Sequence, residues 1–593
     1  MEARHTYEQQ RIPELMASTT NGLTIHPDTV LAKAAEHIRI YDTARHGTVD
    51  FTPIVPGKVT MYVCGATVQS SPHIGHLRAG VAFDVIRRWL MKLGYEVVFV
   101  RNVTDIDDKI LNRSAAEGQN WWARAHYYED EFTDAYNALG VLAPTYEPRA
   151  TGHITDMVSL VERLIDRGHA YITANADGTP SGNVYFDVPS WKEYGALTHQ
   201  EGGVQTGEAD EAARVADALG PSVDASGEDK YNPADAADQS EAKHDPRDFA
   251  LWKASKDTDP STARWETPFG TGRPGWHLEC SAMSRRYLGD DFDIHGGGLD
   301  LRFPHHENEM AQSRAAGWGF AHHWMHSAWV TQKGEKMSKS LGNGLSVGSI
   351  LSSHTPWVAR YALATVQYRS MLEWSAQTLQ EAESAYSRIM NFLEHAAAAA
   401  VRPTREEVLA VGADDLPESF TRAMNDDFSV SGAIAVIFSK IRRGNTLMAS
   451  MASAAGTGSR KESESGTPGS LNSDLENTVL SVRAMLDVLG LDPLDPQWLP
   501  GGNSFAAAAS FTGGRLPSMQ EPSPVPSQAA YPSPASSPSR AAQVLNTLVS
   551  AQLREREEAR KSKDFTRADA IRDMLAEAGI IIEDTPHGPA WKL

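Results

Sequence analysis

Residues 62 to 78 read Tyr62-Val-Cys-Gly-Ala-Thr-Val-Gln-Ser-Ser-Pro-His-Ile-Gly-His-Leu-Arg78, and the character of this stretch decides the fold. Upstream, Lys58 to Val63 is a β-branched run of strand character. Downstream, Leu77, Val81, Val85, Ile86, Leu90 and Leu93 recur at helical spacing. The pattern is a strand, a turn and a helix. Val97 to Val103 reads as a second buried strand and completes a βαβ unit, which predicts an α/β fold built on a Rossmann-like parallel sheet. The turn His73-Ile-Gly-His76 then falls at a strand's carboxyl end and a helix's amino end, where free N–H groups favour phosphate.

Working outward, the 593 residues are enough for several domains. Lys and Arg total 55 against 76 Asp and Glu, a formal charge of −21. A polyanionic partner must therefore be met by local basic patches against an unfavourable overall field. Residues 1–40 contain no cationic stretch followed by an apolar run, which predicts neither a signal peptide nor a membrane span, and a cytoplasmic location is expected. The two cysteines, Cys64 and Cys280, are too few for a disulfide framework, and in a reducing compartment they are free thiols or metal ligands.

Residues 1–37 read as an N-terminal extension, and 38–330 as the α/β domain with an insertion. Trp121 to Leu139 and Ile154 to Ile165 are helical in pattern, and Asn183 to Val188 is a short strand. Residues 201–245 turn acidic and Ala/Gly/Ser-rich, as expected of a mobile spacer. Residues 331–400 begin with the basic, glycine-flanked stretch Gly334-Glu-Lys-Met-Ser-Lys-Ser-Leu-Gly-Asn343. Residues 401–500 read as helices, with Ala433, Val436, Ile437 and Ile441 on one face, and Leu480, Val482, Met485, Leu486 and Leu489 in another helix. Residues 501–540 hold seven prolines between Pro517 and Pro538 and read as an unstructured linker. Residues 541–593 follow as a separate module, two amphipathic helices over Leu548 to Gly579 and a hairpin turning at Gly588.

Three sets of residues carry chemistry. Cys64, Cys280, His305 and Glu309 offer two thiolates, an imidazole and a carboxylate, a set that suits zinc. Spacing alone is equally served by two buried structural cysteines and a His/Glu pair on one helix face. His73, Gly75 and His76 can meet phosphate oxygens at a helix start, and Lys336 and Lys339 add two ammonium groups on a loop able to close over a triphosphate. Either motif alone reads as well as an ordinary turn or a solvated basic loop, whereas both in this order point to a nucleotide. Gly296-Gly-Gly298 offers close backbone approach at Gly297, and Asp300 a carboxylate for a ribose hydroxyl.

With these residues in view, the chain resembles the class I aminoacyl-tRNA synthetases, and among them the cysteinyl-tRNA synthetases. The resemblance is carried by Met61-Tyr-Val-Cys-Gly65, His73-Ile-Gly-His76, Asn102-Val-Thr-Asp-Ile-Asp-Asp-Lys109, Gly275-Trp-His-Leu-Glu-Cys-Ser-Ala-Met283, Phe303-Pro-His-His-Glu-Asn-Glu309, Lys336-Met-Ser-Lys-Ser340 and Met424-Asn-Asp-Asp-Phe428. It covers about residues 38–500 and 548–593. The resemblance implies that Cys64, Cys280, His305 and Glu309 hold one zinc ion per subunit, and that Gly65, Thr104 and Trp276 shape a cysteine pocket. It implies that His73, Gly75, His76, Gly297, Asp300, Lys336 and Lys339 bind ATP, with His73, His76, Lys336 and Lys339 serving catalysis and magnesium accompanying the nucleotide. The expected fold is then a Rossmann-like catalytic domain with insertions, an α-helical bundle that binds tRNA, and a small C-terminal anticodon-recognition module. The expected reaction activates L-cysteine with ATP and charges tRNA(Cys), in a monomer with no membrane partner. Gly65-Ala-Thr-Val-Gln-Ser70 departs from the family's usual Gly-Pro-Thr-Val-Tyr-Asp at this loop.

Two rival readings compete. A mycothiol-pathway ligase, which joins cysteinyl-adenylate to an amino sugar, shares the zinc and nucleotide motifs but has no use for residues 400–593. A non-catalytic tRNA-binding paralogue has no use for complete zinc and nucleotide motifs.

Overall fold

The structure, a computed structural model, describes residues 31–199, 242–332, 335–336, 346–456 and 468–499, isolated positions between 502 and 575, and residues 581–585 and 588–592. These fall into two compact units, one through Arg515 and one from Leu516.

The first unit is built on the βαβ unit that the sequence predicts. Strand β1 (Lys58–Val63) leads through helix α1 (Ile74–Lys92) to strand β2 (Glu96–Arg101), and the two strands pair in parallel from Lys58 opposite Glu96 to Val63 opposite Arg101. On the other side of β1 lies β3 (Phe292–Gly298), reached after helix α2 (Trp276–Leu288), with Met61 opposite Ile294. After helix α3 (Glu307–Ala315) the chain forms β4 (Ala321–Ser327), parallel to β3. The sheet order is β4-β3-β1-β2. Consecutive connections therefore leave β1 and β3 in opposite directions, and the carboxyl ends of these two strands form the crevice where such sheets bind ligands. Val59, Met61, Tyr62 and Ile294 are fully buried, as both faces of a parallel sheet must be. Leu77, Val81, Val85, Ile86 and Leu90 form the buried stripe of α1.

The insertion between β2 and α2 carries an antiparallel sheet of Ala170–Ala174, Pro180–Phe186, Phe249–Ala254 and Gly272–Pro274 in that order. Pro180–Phe186 and Phe249–Ala254 pair directly, so the acidic stretch of 201–245 connects two neighbouring strands. Beyond β4, Val330–Gln332 pairs with Glu335–Lys336 and with Leu372–Glu373. Helices α4 (Pro356–Ala364), α5 (Ala376–Ala398), α6 (Val430–Gly456) and α7 (Pro468–Val488) complete the unit. Ala433, Ile437 and Ile441 of α6 are buried, as are Val482, Met485 and Leu486 of α7 and Leu489 just past it.

Helix α1 is clamped along its length by polar bonds to later elements. Arg360 of α4 donates to Asp84 Oδ2 at 2.5 Å and to the Leu489 carbonyl at 2.9 Å, while Arg88 donates to the same Asp84 oxygen at 2.7 Å. Trp89 Nε1 donates to Asn425 Oδ1 at 2.9 Å, which gives the Met424–Phe428 motif a structural role. Asp427 in that motif accepts from the Tyr368 hydroxyl at 2.7 Å and from Tyr41 N at 2.8 Å.

Several predicted boundaries shift. The second strand ends at Arg101, not Val103, because Asn102 turns its side chain to the Gly65 amide and Val103 N donates instead to the Pro148 carbonyl. The strand predicted from Asn183 begins earlier, at Pro180. His305 and Glu309 do not share a regular α-helix: His305 belongs to the wide turn Arg302–His306, and the helix starts at Glu307. Residues 33–37 of the predicted extension form a 3-10 helix. The mobile spacer predicted for 201–245, except 242–245, lies outside the described residues, as do residues 337–345 with Lys339 and nearly all of the 501–540 linker.

In the second unit, the described positions between Arg556 and Leu575 are helical except Asp564. Asp564 Oδ1 accepts from Arg567 N at 3.1 Å, the cap expected where a second helix begins. The predicted hairpin is present as Ile581–Thr585 paired antiparallel with Gly588–Lys592.

Candidate active site and metal centre

Cys64 follows the last residue of β1, and its N–H donates to the Gly296 carbonyl of β3 at 3.0 Å. This bond fixes its side chain at the carboxyl-end crevice. Cys280 comes from the second turn of α2, and its sulfur lies 3.5 Å from that of Cys64. Glu309 Oε1 lies 3.2 Å from the Cys64 sulfur and 3.1 Å from His305 Nε2. The four predicted ligands therefore converge, with their ligand atoms all within 4.8 Å of one another. Trp276 stacks on His305 with ring centroids 4.1 Å apart, bringing the predicted pocket residue onto a predicted ligand.

The electrostatics fit a cation. Burial pushes the Cys64 thiol well above its usual range, helped by Cys280 and Glu309, and pushes Cys280 up to about 11. Burial acts on Glu309 in the same sense, but His295 and His305 more than offset it and hold the carboxyl below its usual range. Two thiols and a carboxylate gathered in one buried place repel one another as anions unless a metal joins them. Two sulfurs, one imidazole nitrogen and one carboxylate oxygen suit a borderline-soft divalent ion such as zinc.

A second set overlaps the first, in which Cys64 and Glu309 converge with His295 and His306. His295 Nε2 lies 2.9 Å from Glu309 Oε2, so the two carboxylate oxygens face different imidazoles. His306 and His326 lie 2.8 Å apart, and burial holds both well below the usual histidine range.

Next to Cys280, Asn102 and Thr104 form a hydrogen-bonded chain. Asn102 Oδ1 accepts from Gly65 N at 2.9 Å and lies 3.6 Å from the Cys280 sulfur. A Cβ at Gly65 would collide with the Asn102 carbonyl, which explains the glycine. Thr104 Oγ1 donates to Glu279 Oε2 at 2.7 Å and accepts from Asn102 Nδ2 at 3.4 Å. Burial raises the Glu279 carboxyl well above its usual range against the Thr104 hydrogen bond. Asn102 and Glu279 lie within the family motifs, but nothing in their spacing distinguishes them from scaffold. The same holds for His295 and His306.

Nine residues after Cys64, the predicted nucleotide turn caps α1. His73 Nδ1 accepts from Gly75 N at 3.1 Å, and His76 Nδ1 accepts from His73 N at 3.2 Å. The two rings stack at 3.7 Å. At the predicted second nucleotide motif, Lys336 pairs with Thr331, and Ser346 beyond it forms a β-bridge with His73. The chain that leaves Lys336 thus returns to the first motif. Gly297 lies in β3 against His306, where a Cβ would sit 2.8 Å from that ring, and Asp300 is exposed in the turn beyond.

Comparison with known proteins places this geometry. Residues 50–384 match the model of the tRNA synthetases class I (C) catalytic domain, and residues 545–591 match the cysteinyl-tRNA ligase anticodon binding domain. The cysteine–tRNA ligase of Bifidobacterium longum (strain NCC 2705) is 61% identical over 564 residues, covering 95% of this chain and 96% of that protein.

The chain belongs to the cysteine–tRNA ligase family.

It is an ATP-dependent aminoacyl-tRNA ligase, with cysteine, ATP and tRNA(Cys) as its substrates. Other cysteine–tRNA ligases are 46% identical, those of Beutenbergia cavernae and Streptomyces avermitilis, each covering 94% of this chain and 99% of the relative. Among solved structures, Mycobacterium tuberculosis methionyl-tRNA synthetase in complex with methionyl-adenylate shares the fold, with a TM-score of 0.50 and 17% identity over 76% of this chain and 96% of that one. The amino-sugar ligase and the non-catalytic paralogue give way to the cysteine–tRNA ligase reading.

Proposed function

We propose that this cysteine–tRNA ligase works by positioning, with the crevice at the ends of β1 and β3 holding cysteine and ATP side by side. The supporting observation is the joint placement of the Cys64, Cys280, His305 and Glu309 cluster and the His73–His76 turn on the two ends of one short connection. In the first step the cysteine carboxylate attacks the ATP α-phosphate, giving cysteinyl-adenylate and pyrophosphate. In the second, the terminal ribose hydroxyl of tRNA takes the cysteinyl group and AMP leaves. Neither step needs a protein nucleophile. His73, His76, Lys336 and Lys339 donate to the phosphates as charge develops on the pentavalent phosphorus, Gly75 and Gly297 allow close backbone approach, and Asp300 accepts a ribose hydroxyl. Magnesium accompanies ATP.

Cys64, Cys280, His305 and Glu309 would hold zinc. When bound, zinc supplies a soft Lewis acid that prefers a thiolate to a hydroxyl, and so selects cysteine over serine. Gly65, Thr104 and Trp276 frame the amino acid around it. The helices of 401–500 and the module of 541–593 take the tRNA, the latter reading the anticodon. The enzyme acts as a cytoplasmic monomer. Cysteine-dependent exchange of pyrophosphate into ATP, followed by charging of bulk tRNA, tests the reading. Exchange without charging would point back to a different acceptor, and absence of exchange would overturn it.

A further inference from the structure

Two residues past His76, α1 carries a cation to which the reaction above gives no role. Arg78 is 1% exposed, and no carboxylate pairs with it among the described residues. Its guanidinium instead donates to three backbone carbonyls, those of Leu363, of Val366 at 3.0 Å and of Gln367 at 2.8 Å. Leu363 lies in the last turn of α4, whose final carbonyls find no partner within the helix, and Val366 and Gln367 lie in the turn that leaves it. Taking a guanidinium out of water without a counter-charge is costly, and an apolar side chain would fill this position of α1 at less cost if packing were its only task.

The turn that Arg78 holds runs directly into the small sheet that carries the second nucleotide motif. One residue on, the Tyr368 carbonyl accepts from Ala328 N at 2.8 Å; Leu372 N then donates to the Trp329 carbonyl at 3.0 Å, and Trp374 N to that of Thr331 at 2.8 Å. Thr331 is the residue opposite Lys336. One side chain thus ties the start of the helix opened by His73–His76 to the strands that set where Lys336 stands. A guanidinium suits this task because its donors lie in one rigid plane and reach several carbonyls at once, whereas an ammonium donates from a single point.

We propose that Arg78 is a positioning residue for ATP: by gripping the turn from Leu363 to Gln367 it sets the spacing between the His73–His76 turn and the strand of Lys336, and so holds both nucleotide motifs in register on one triphosphate. The proposal rests on the reading of those two motifs as the ATP site.

The test is pyrophosphate exchange by the full-length zinc-loaded protein carrying Arg78→Lys, which keeps the charge but not the fork, alone and combined with Lys336→Ala. Binding of L-cysteine without ATP and thermal melting are measured alongside. Arg78→Lys should lower kcat/KM for ATP at least about 10-fold, since a misplacement of about 1 Å can cost about 100-fold, and shift cysteine affinity less than about 2-fold. In the Lys336→Ala background the same substitution should cost at least about 3-fold less, because a side chain that is absent cannot be misplaced. Earlier melting with exchange by the folded protein unchanged overturns the proposal, as does equal weakening of ATP and cysteine, or a loss of the same size in both backgrounds. Should Arg78→Lys not fold, Arg78→Gln, whose neutral amide still donates to a carbonyl, carries the same expectations; failure of both to fold reduces Arg78 to a structural anchor. An unchanged kcat/KM for ATP in Lys336→Ala alone would instead overturn the reading of the second motif.

Discussion

The sulfur atoms of Cys64 and Cys280 lie 3.5 Å apart although 216 residues separate them in sequence. One directly follows a strand and the other sits in a helix, and neither has a cysteine neighbour to mark it as a ligand. Replacing Cys280 by serine should lower zinc content and cysteine affinity together, the latter by more than about 100-fold, since loss of an outer-shell partner alone costs roughly 10–100-fold. ATP affinity should change little. Zinc analysis and calorimetric titration of both ligands check this, and unchanged cysteine affinity in zinc-free mutant protein contradicts it.

His76 has two duties that separate in the numbers. Its Nδ1 accepts from His73 N to cap α1, and loss of such a cap costs about 1 kcal/mol of stability. As a donor to the reacting phosphate it is expected to contribute about 100- to 1,000-fold in rate, as other preorganised donors do. His76→Ala should therefore melt only slightly earlier while pyrophosphate exchange falls by that larger factor. A rate loss no greater than the stability loss would reduce His76 to a cap.

Asp84 predicts an acid-stability profile. Burial alone would raise its carboxyl, but Arg88 and then Arg360 more than offset this and bring it from 3.8 down to about 2. A folded-state value below the unfolded one means that the stabilisation is complete above the unfolded value and is lost as pH falls through the folded one. The window runs from about pH 4 to about pH 2, and the shift is worth about 2 kcal/mol. Denaturant titrations across this range should show the loss. In Asp84→Asn the profile should be flatter there, on a protein already less stable by about 3–5 kcal/mol because Arg88 and Arg360 are left buried without their partner.

Much of this molecule is legible in its sequence because the decisive signals are local. The β-branched run before Cys64 and the periodic leucines and valines after His76 specify a parallel strand and its crossover helix, and the sheet bears this out. Residues whose role depends on contacts across the fold are not legible in the same way. Asn102 joins Gly65, Cys280 and Thr104 through bonds spanning up to 178 residues, and Glu279 meets Thr104 across 175. His295 and His306 reach Glu309 and His326 only after β3, α3 and β4 are assembled. The helical spacing of His305 and Glu309 matches their proximity, but the two do not share one regular α-helix: the turn at Arg302–His306 carries His305 to the site and the helix starts at Glu307.

The most direct measurement is pyrophosphate exchange by the full-length zinc-loaded protein with cysteine and with serine as competing substrates. A pocket reading shape alone separates such close analogues by only roughly 10- to 200-fold in kcat/KM. The expected result is discrimination against serine well beyond that range, collapsing together with cysteine binding when the zinc is chelated. Discrimination that stays within the range, or that survives removal of the metal, would contradict a metal centre at Cys64, Cys280, His305 and Glu309 as the selector of the substrate sulfur.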